Sequence, residues 1–96
     1  MKQARFLLPA EHEMLDSMLY YQHQAEGLAH DFLDQVTEAV RRIENNPEAY
    51  PEINKAVHRC LVRRFPFALL YKISGDEVVI LAVMHVKRHP SYWLER

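Results

Sequence analysis

The sequence predicts an α+β fold: an N-terminal strand, then an antiparallel helical hairpin packed on a small antiparallel sheet with a C-terminal three-strand meander. Apolar residues recur at helical spacing in the first half of the chain, and the pattern becomes strand-like from residue 57 onward. Helices that are separated from antiparallel strands along the sequence are typical of two-layer folds. We expect residues 1–96 to form one domain, because a chain of 96 residues supports a single core.

The N-terminal half predicts one strand and two helices. Arg5–Leu8 has the pattern of a short strand. Apolar residues at helical spacing then predict a first helix that runs to about Gln24, and Gly27 marks its end. Leu28–Ile43 is a second amphipathic helix, and Pro47 lies where it must end. The short connection between the helices predicts an antiparallel hairpin.

The C-terminal half predicts three antiparallel strands. Asn46–Ala56 contains two prolines and no sustained period, which indicates an ordered loop. Val57–Val62 and Phe65–Ile73 are the first two strands, and a turn around Gly75 leads to the third, Val78–Met84. The third strand is almost continuously apolar, which indicates a central position in the sheet.

The charges are divided unevenly along the chain. Residues 1–54 carry four basic and ten acidic side chains, whereas residues 55–96 carry eight basic and three acidic ones. Such a division is typical of an interaction surface, and it is equally typical of two oppositely charged elements that balance across a fold. Both interpretations stay open at this point.

The sequence contains no recognisable export or membrane segment. Val78–Met84, the longest apolar run, is much shorter than the roughly 20 residues that a membrane span needs. The apolar stretch before Pro9 is too brief for a signal peptide, and the single cysteine, Cys60, has no partner for an internal disulfide. These features predict a cytoplasmic protein.

Three groups of residues indicate a protein family more specifically in combination than each does alone. They are Tyr20-Tyr21 with Gly27-Leu28-Ala29, Phe32-Leu33 and Ile43–Pro47; the run Arg63–Tyr71; and the run Ile80–Pro90 followed by Trp93. Together they resemble the RelE/ParE superfamily of toxins from type II toxin–antitoxin systems, over essentially the whole chain. The resemblance implies a toxin with the fold described above. It also implies a cognate antitoxin that neutralises the toxin in a hetero-oligomer.

Two activities occur in this superfamily: RelE-like toxins cut messenger RNA on the ribosome, and ParE-like toxins inhibit DNA gyrase. RNA cleavage needs a base, an acid and cations near the phosphate. By the resemblance, Arg59 and Arg88 fall where RelE-like nucleases carry basic residues. Leu61, Ala68 and Leu94, however, fall where those nucleases carry a lysine, an arginine and a tyrosine. An apolar side chain supplies neither a proton nor a charge, so we favour a ParE-like (plasmid-stabilisation) toxin that inhibits gyrase by binding.

Two alternatives stay open. The first is a ribosome-dependent mRNA endonuclease with Arg59, His85 and Arg88 as catalytic candidates, because histidine titrates near neutral pH and some nuclease members of the superfamily use one. The second is a non-toxic interaction module of toxin ancestry.

For the ParE-like interpretation, the candidate target contacts are Arg59, Arg63, Arg88 and Trp93. We hypothesise that the three arginines meet in space as one contact surface. The simpler alternative is that charged residues on a strand only protect a sheet edge from aggregation. Tyr92 and Trp93 are also expected to anchor the C-terminal tail on the sheet.

Neither a cofactor nor a metal is expected. His85 and His89 are four residues apart, but Pro90 argues against the helix that would bring both onto one face. A phosphate-binding loop needs clustered glycines, and the chain has only Gly27 and Gly75.

Overall fold

Two helices cover one face of a five-stranded sheet in the computed structural model of the chain, which describes residues 1–88, 91–94 and 96. The elements in order are β1 (Gln3–Phe6), α1 (Leu8–Gln24), α2 (Leu28–Asn45), a 3-10 turn (Pro47–Ala49), β2 (Glu52–Asn54), β3 (Val57–Leu61), β4 (Phe67–Ser74) and β5 (Glu77–His85). The strands lie side by side in the order β1-β5-β4-β3-β2. This architecture confirms the predicted α+β fold, including the helical hairpin and the meander of β3, β4 and β5.

The sheet is mixed rather than antiparallel throughout. β1 pairs with β5 in parallel, with Gln3 opposite Glu77 and Phe6 opposite Ile80, whereas the other three pairs are antiparallel. Two parallel strands need a crossover connection between them. Here the connection from β1 to β5 includes α1 and α2, which cover one face of the sheet. The four residues of β1 carry no signal of pairing direction, so the sequence could not show this.

Several predicted boundaries differ from those in the structure, among them the start of the second meander strand, which is Phe67 rather than Phe65. The first strand is Gln3–Phe6 rather than Arg5–Leu8, because Leu8 already opens α1 with a proline in its first turn. The predicted loop Asn46–Ala56 contains a 3-10 turn and the short strand β2, in which Glu52 lies opposite His58 of β3. All three residues of β2 are exposed, so their strand conformation comes from pairing with β3 and not from a local apolar pattern.

The helices and the sheet bury a largely apolar core between them. The buried residues of α2 recur every three or four positions, as Phe32, Val36, Ala39 and Ile43. Gly27 joins the two helices in the left-handed conformation, with a φ of 79°, which glycine adopts without a steric penalty.

A β-bulge in β5 changes which residues face the helices. Ile80 and Ala82 pair with adjacent residues of β4, so Leu81 between them is an extra residue. Ile80 faces the helices before the bulge, and Val83 and His85 face them after it. Without the extra residue, Val83 and His85 would point away from the helices.

A second apolar cluster lies on the face of the sheet that is turned away from the helices, which we call the outer face. Its buried members are Val57, Leu70, Leu81, Ala82, Met84 and Trp93. Trp93 is 4% exposed and brings the C-terminal tail against this face, with Tyr92 packed beside it. The prediction that Tyr92 and Trp93 anchor the tail on the sheet is therefore confirmed.

Candidate functional site

The outer face combines exposed basic residues with an apolar row. Arg59 of β3 lies opposite Leu70, a member of the outer cluster, and its side chain is exposed. Leu61 is 53% exposed and lies opposite Ala68, which in turn lies opposite Met84. Leu61, Ala68 and Met84 therefore lie side by side on β3, β4 and β5. In this chain the row they form is apolar across three strands.

The loop between β3 and β4 carries two arginines with different surroundings. Arg63 is exposed. Arg64 has a positive φ of 70°, and its guanidinium lies 3.8 Å from the Asp31 carboxylate of α2. Arg63 therefore lies at the surface in the loop that follows β3, while Arg64 is turned toward the helical layer.

Arg88 stacks on the C-terminal tail. Its guanidinium carbon lies 3.9 Å from the centre of the Tyr92 ring, and that of Arg96 lies 4.9 Å from the same ring. A guanidinium at this distance is attracted by the electrons of the ring face. Burial is the main reason that the pKa of Tyr92 lies above its ordinary value, so the phenol stays neutral at physiological pH.

Arg96 also closes a polar gap at the edge of β5. The Arg96 guanidinium donates to the Glu13 carboxylate at 2.7 Å and to the Leu81 carbonyl at 3.0 Å. The Glu13 carboxylate also accepts a hydrogen bond from the Val83 backbone N–H at 3.1 Å. β1 pairs with β5 only as far as Ile80, so on the side of β5 away from β4 these backbone groups lie beyond the last β1 partner. The two side chains take the place of a β1 partner.

His85 faces the helical layer and makes two defined contacts. Its ring lies 5.2 Å from that of Phe67, nearly perpendicular to it. Its Nδ1 lies 3.1 Å from the backbone nitrogen of Lys87 and accepts a hydrogen bond from that N–H. In the neutral ring the proton is then on Nε2, which is left as a donor.

The structure brings some of the sequence-predicted residues together and separates others. His85 and Arg88 line one small cavity beside α1. Arg59 lies two strands away from β5, on the outer face, with Arg63 following it along the chain. The catalytic candidates Arg59 and His85 therefore lie on opposite faces of the sheet. Trp93 is buried as a tail anchor.

A groove between α1 and the ends of β4 and β5, which we call the α1–β5 groove, was not predicted from the sequence. It has a volume of about 520 Å³ and is lined by Asp16, Ser17, Tyr20, Tyr21, Pro66, Phe67 and His85. A second cavity of about 220 Å³ continues it toward Glu13, Val83 and Arg88. Asp16 and Tyr20 are one helical turn apart, which is readable from the sequence, but the bulge that turns His85 toward them is not.

A group of side chains that could ligate a metal lies at the start of α2. Among the residues that the structure describes, His30, Asp31 and Asp34 place ligand atoms within 4.8 Å of one another. They lie in the first turns of α2, where the helix dipole favours anions, and Asp31 is paired with Arg64. His89, the proposed partner of His85, lies outside the described residues.

The helical hairpin, the meander and the arginine-bearing outer face define a small α+β protein of the RelE/ParE architecture. The model of the family described as "ParE toxin of type II toxin-antitoxin system, parDE" matches residues 5–90 of the chain. The chain therefore belongs to the ParE toxin family.

A solved structure supports the fold independently. A chain from the chromosomal ParDE TA system of P. aeruginosa superposes with a TM-score of 0.72 at 20% sequence identity, and the match covers 91% of this chain and 98% of that one. At this identity the likeness concerns the fold. No curated protein sequence matches the chain. Neither helix in the described part of the chain is long and apolar enough to cross a membrane.

Proposed function

We propose that this member of the ParE family is the toxin of a type II toxin–antitoxin pair, that it inhibits DNA gyrase by binding, and that a cognate antitoxin neutralises it. The observation that supports binding over cleavage is the apolar row of Leu61, Ala68 and Met84 on the outer face. A proton-transfer site needs titratable groups that point at the same reacting atoms. This row offers none at the positions where the superfamily's nucleases have them.

The proposed target contact is formed by Arg59 on the outer face, Arg63 in the loop after β3 and Arg88 beyond the end of β5. Arginine is favoured at protein interfaces because its planar guanidinium binds carboxylates with two parallel hydrogen bonds. Trp93, at 4% exposure, acts indirectly by holding the tail against the sheet.

The ribonuclease alternative draws less support from the geometry. Its candidates Arg59 and His85 lie on opposite faces of the sheet, so they cannot act on one phosphate in this conformation. In addition, Nδ1 of His85 already accepts a hydrogen bond from the Lys87 amide, and the free nitrogen of the neutral ring is a donor rather than a base.

The test is pulse-labelling of DNA and protein synthesis after the chain is induced in a bacterial host, with and without the product of the neighbouring gene. We expect an early fall in DNA synthesis with gyrase-dependent DNA breaks, and we expect co-expression of the neighbour to prevent both. An immediate fall in protein synthesis with cut transcripts would contradict the proposal and favour the ribonuclease. A normal rate of both syntheses would indicate a non-toxic interaction module.

Charge reversal identifies the contact surface in the same assay. We expect Arg59→Glu and Arg88→Glu each to weaken inhibition about tenfold or more, because reversed charges at an interface repel the partner. The matched control is Arg41→Glu, an exposed arginine of α2 that pairs with Glu38 on the helical layer. Unchanged toxicity of both the Arg59→Glu and the Arg88→Glu variant at equal protein levels would remove these arginines from the contact surface.

A further inference from the structure

The α1–β5 groove has one carboxylate at its rim, that of Asp16. Asp16 is exposed and has no ion-pair or hydrogen-bond partner within residues 1–88, 91–94 and 96. The neighbouring carboxylate of Glu13 is different, because Arg96 pairs with it at 2.7 Å. Arg88 lines the adjoining cavity together with Asp16, but it is not paired with that carboxylate and its guanidinium is stacked on Tyr92. Asp16 is therefore the one uncompensated charge among the described residues that line the groove.

The walls of the groove are mainly aromatic and apolar. Tyr20 and Tyr21 form one side, with their ring centres 5.2 Å apart, and Phe67 with Pro66 forms the other. Aromatic faces attract a cation, and they also accept the methylene stem of a long side chain. A site with apolar walls and one rim carboxylate suits a side chain that is apolar along its length and positively charged at its end.

The polar atoms in the groove are also compatible with a positively charged side chain. The Ser17 hydroxyl donates to the Glu13 backbone carbonyl at 2.8 Å, so its lone pairs are free to accept a hydrogen bond. The surrounding helical layer is anionic, since residues 8–45 contain eight acidic and two basic side chains. Such a field repels a phosphate or an acidic peptide and attracts a basic one.

We propose that the α1–β5 groove receives an arginine or lysine side chain from a protein segment, with an apolar neighbour of that residue packed against Tyr20 and Pro66. The inference rests on the proposed function, in which the antitoxin is the protein that supplies this segment. The groove then acts as an anchor pocket for the antitoxin, separate from Arg59 on the outer face.

The test uses two blocked dipeptides as probes, acetyl-leucyl-arginine amide and its uncharged isostere acetyl-leucyl-citrulline amide. Each is titrated into ¹⁵N-labelled full-length protein, and binding is followed by amide chemical shifts. We expect shifts at the groove residues and about fivefold tighter binding of the arginine peptide, the size typical of an exposed ion pair aided by an aromatic face.

Matched variants locate the interaction. In Asp16→Asn the preference for arginine over citrulline is expected to disappear, whereas Asp76→Asn, in the hairpin turn at the other end of β5, is expected to keep it. Tyr20→Ala is expected to weaken both peptides about threefold, because it removes one wall of the groove. Its control is Leu19→Ala, a neighbour of similar exposure that does not line the groove, at 55% against 59%.

Equal binding of the two peptides to the unmodified protein would overturn the inference, as would an arginine preference that survives in Asp16→Asn or shifts confined to another surface. These outcomes are separate from the failure of the proposed function. A groove without selectivity in a protein that still stops DNA synthesis would remove only the anchor pocket. A selective groove in a protein that leaves DNA synthesis intact would remove only the toxin proposal.

Discussion

Tyr71 is the largest fully buried side chain of the core, and its ionisation is opposed by its surroundings. Its hydroxyl donates a hydrogen bond to the Pro47 carbonyl, and its ring stacks on that of His58 at 5.1 Å. Burial raises the pKa of Tyr71 well above its ordinary value of 10.0, because a phenolate loses its hydration there. Burial acts in the same direction on the pKa of Tyr92.

These two pKa shifts predict that the protein loses stability in alkali. The folded state keeps both phenols protonated above pH 10, whereas the unfolded chain releases those protons, so rising pH favours unfolding. For Tyr71 the loss is at most about 1.4 kcal/mol for each pH unit above 10. Urea unfolding between pH 8 and about 11 measures it. Tyr71→Phe should show a shallower decline, and an equally steep decline in that variant would contradict the assignment.

The end of β5 shows how one element depends on side chains from two others. Glu13 of α1 and Arg96 of the tail bond to the backbone of β5 at Val83 and Leu81, beyond the last residue that pairs with β1. Both side chains are less than one-fifth exposed. Buried polar groups are costly when they are left without partners, so the three-way contact holds α1, β5 and the tail together.

Glu13→Ala is expected to lower the free energy of unfolding by about 2 kcal/mol, because it removes the acceptor of a strand N–H and the carboxylate that pairs with a guanidinium. Urea denaturation measures this loss, and the loss of Tyr92 and Trp93 packing should appear as increased tail exposure in proteolysis. The control is Glu11→Ala, an exposed residue in the first turn of α1, with an expected change below about 0.5 kcal/mol. Equal losses in the two variants would show that the contact adds no stability.

The elements that the sequence predicted well are those whose pattern lies within their own residues. The buried face of α2 repeats at helical spacing, and the apolar run Val78–Met84 is long enough to identify β5 as a central strand. β2 and the bulge at Leu81 depend instead on pairing with distant residues, so their own few residues do not specify them. The α1–β5 groove was missed for the same reason, because the direction of His85 follows from the bulge.

In the folded protein, the uneven charge along the chain becomes a separation of acidic and basic side chains between the helical layer and the sheet. Residues 8–45, which form the helical layer, carry eight acidic and two basic side chains, whereas residues 55–96, which carry the meander, have eight basic and three acidic ones. Among the ion pairs of residues 1–88, 91–94 and 96, two connect the layers, Arg64 with Asp31 and Arg96 with Glu13. Most of the charge of each layer is therefore directed at solvent, which favours the interpretation of an interaction surface over internal balance.

This separation predicts that electrostatic attraction speeds association with the neighbouring gene's product. Exposed charges are screened over about 10 Å at 0.1 M salt, so the association rate constant should fall about tenfold between 0.02 and 0.5 M NaCl. The dissociation rate constant should change much less, because it depends on close contacts. Stopped-flow mixing at several salt concentrations measures both constants. If the association rate constant proves independent of salt, the charged layers do not steer the encounter, and the prediction is wrong.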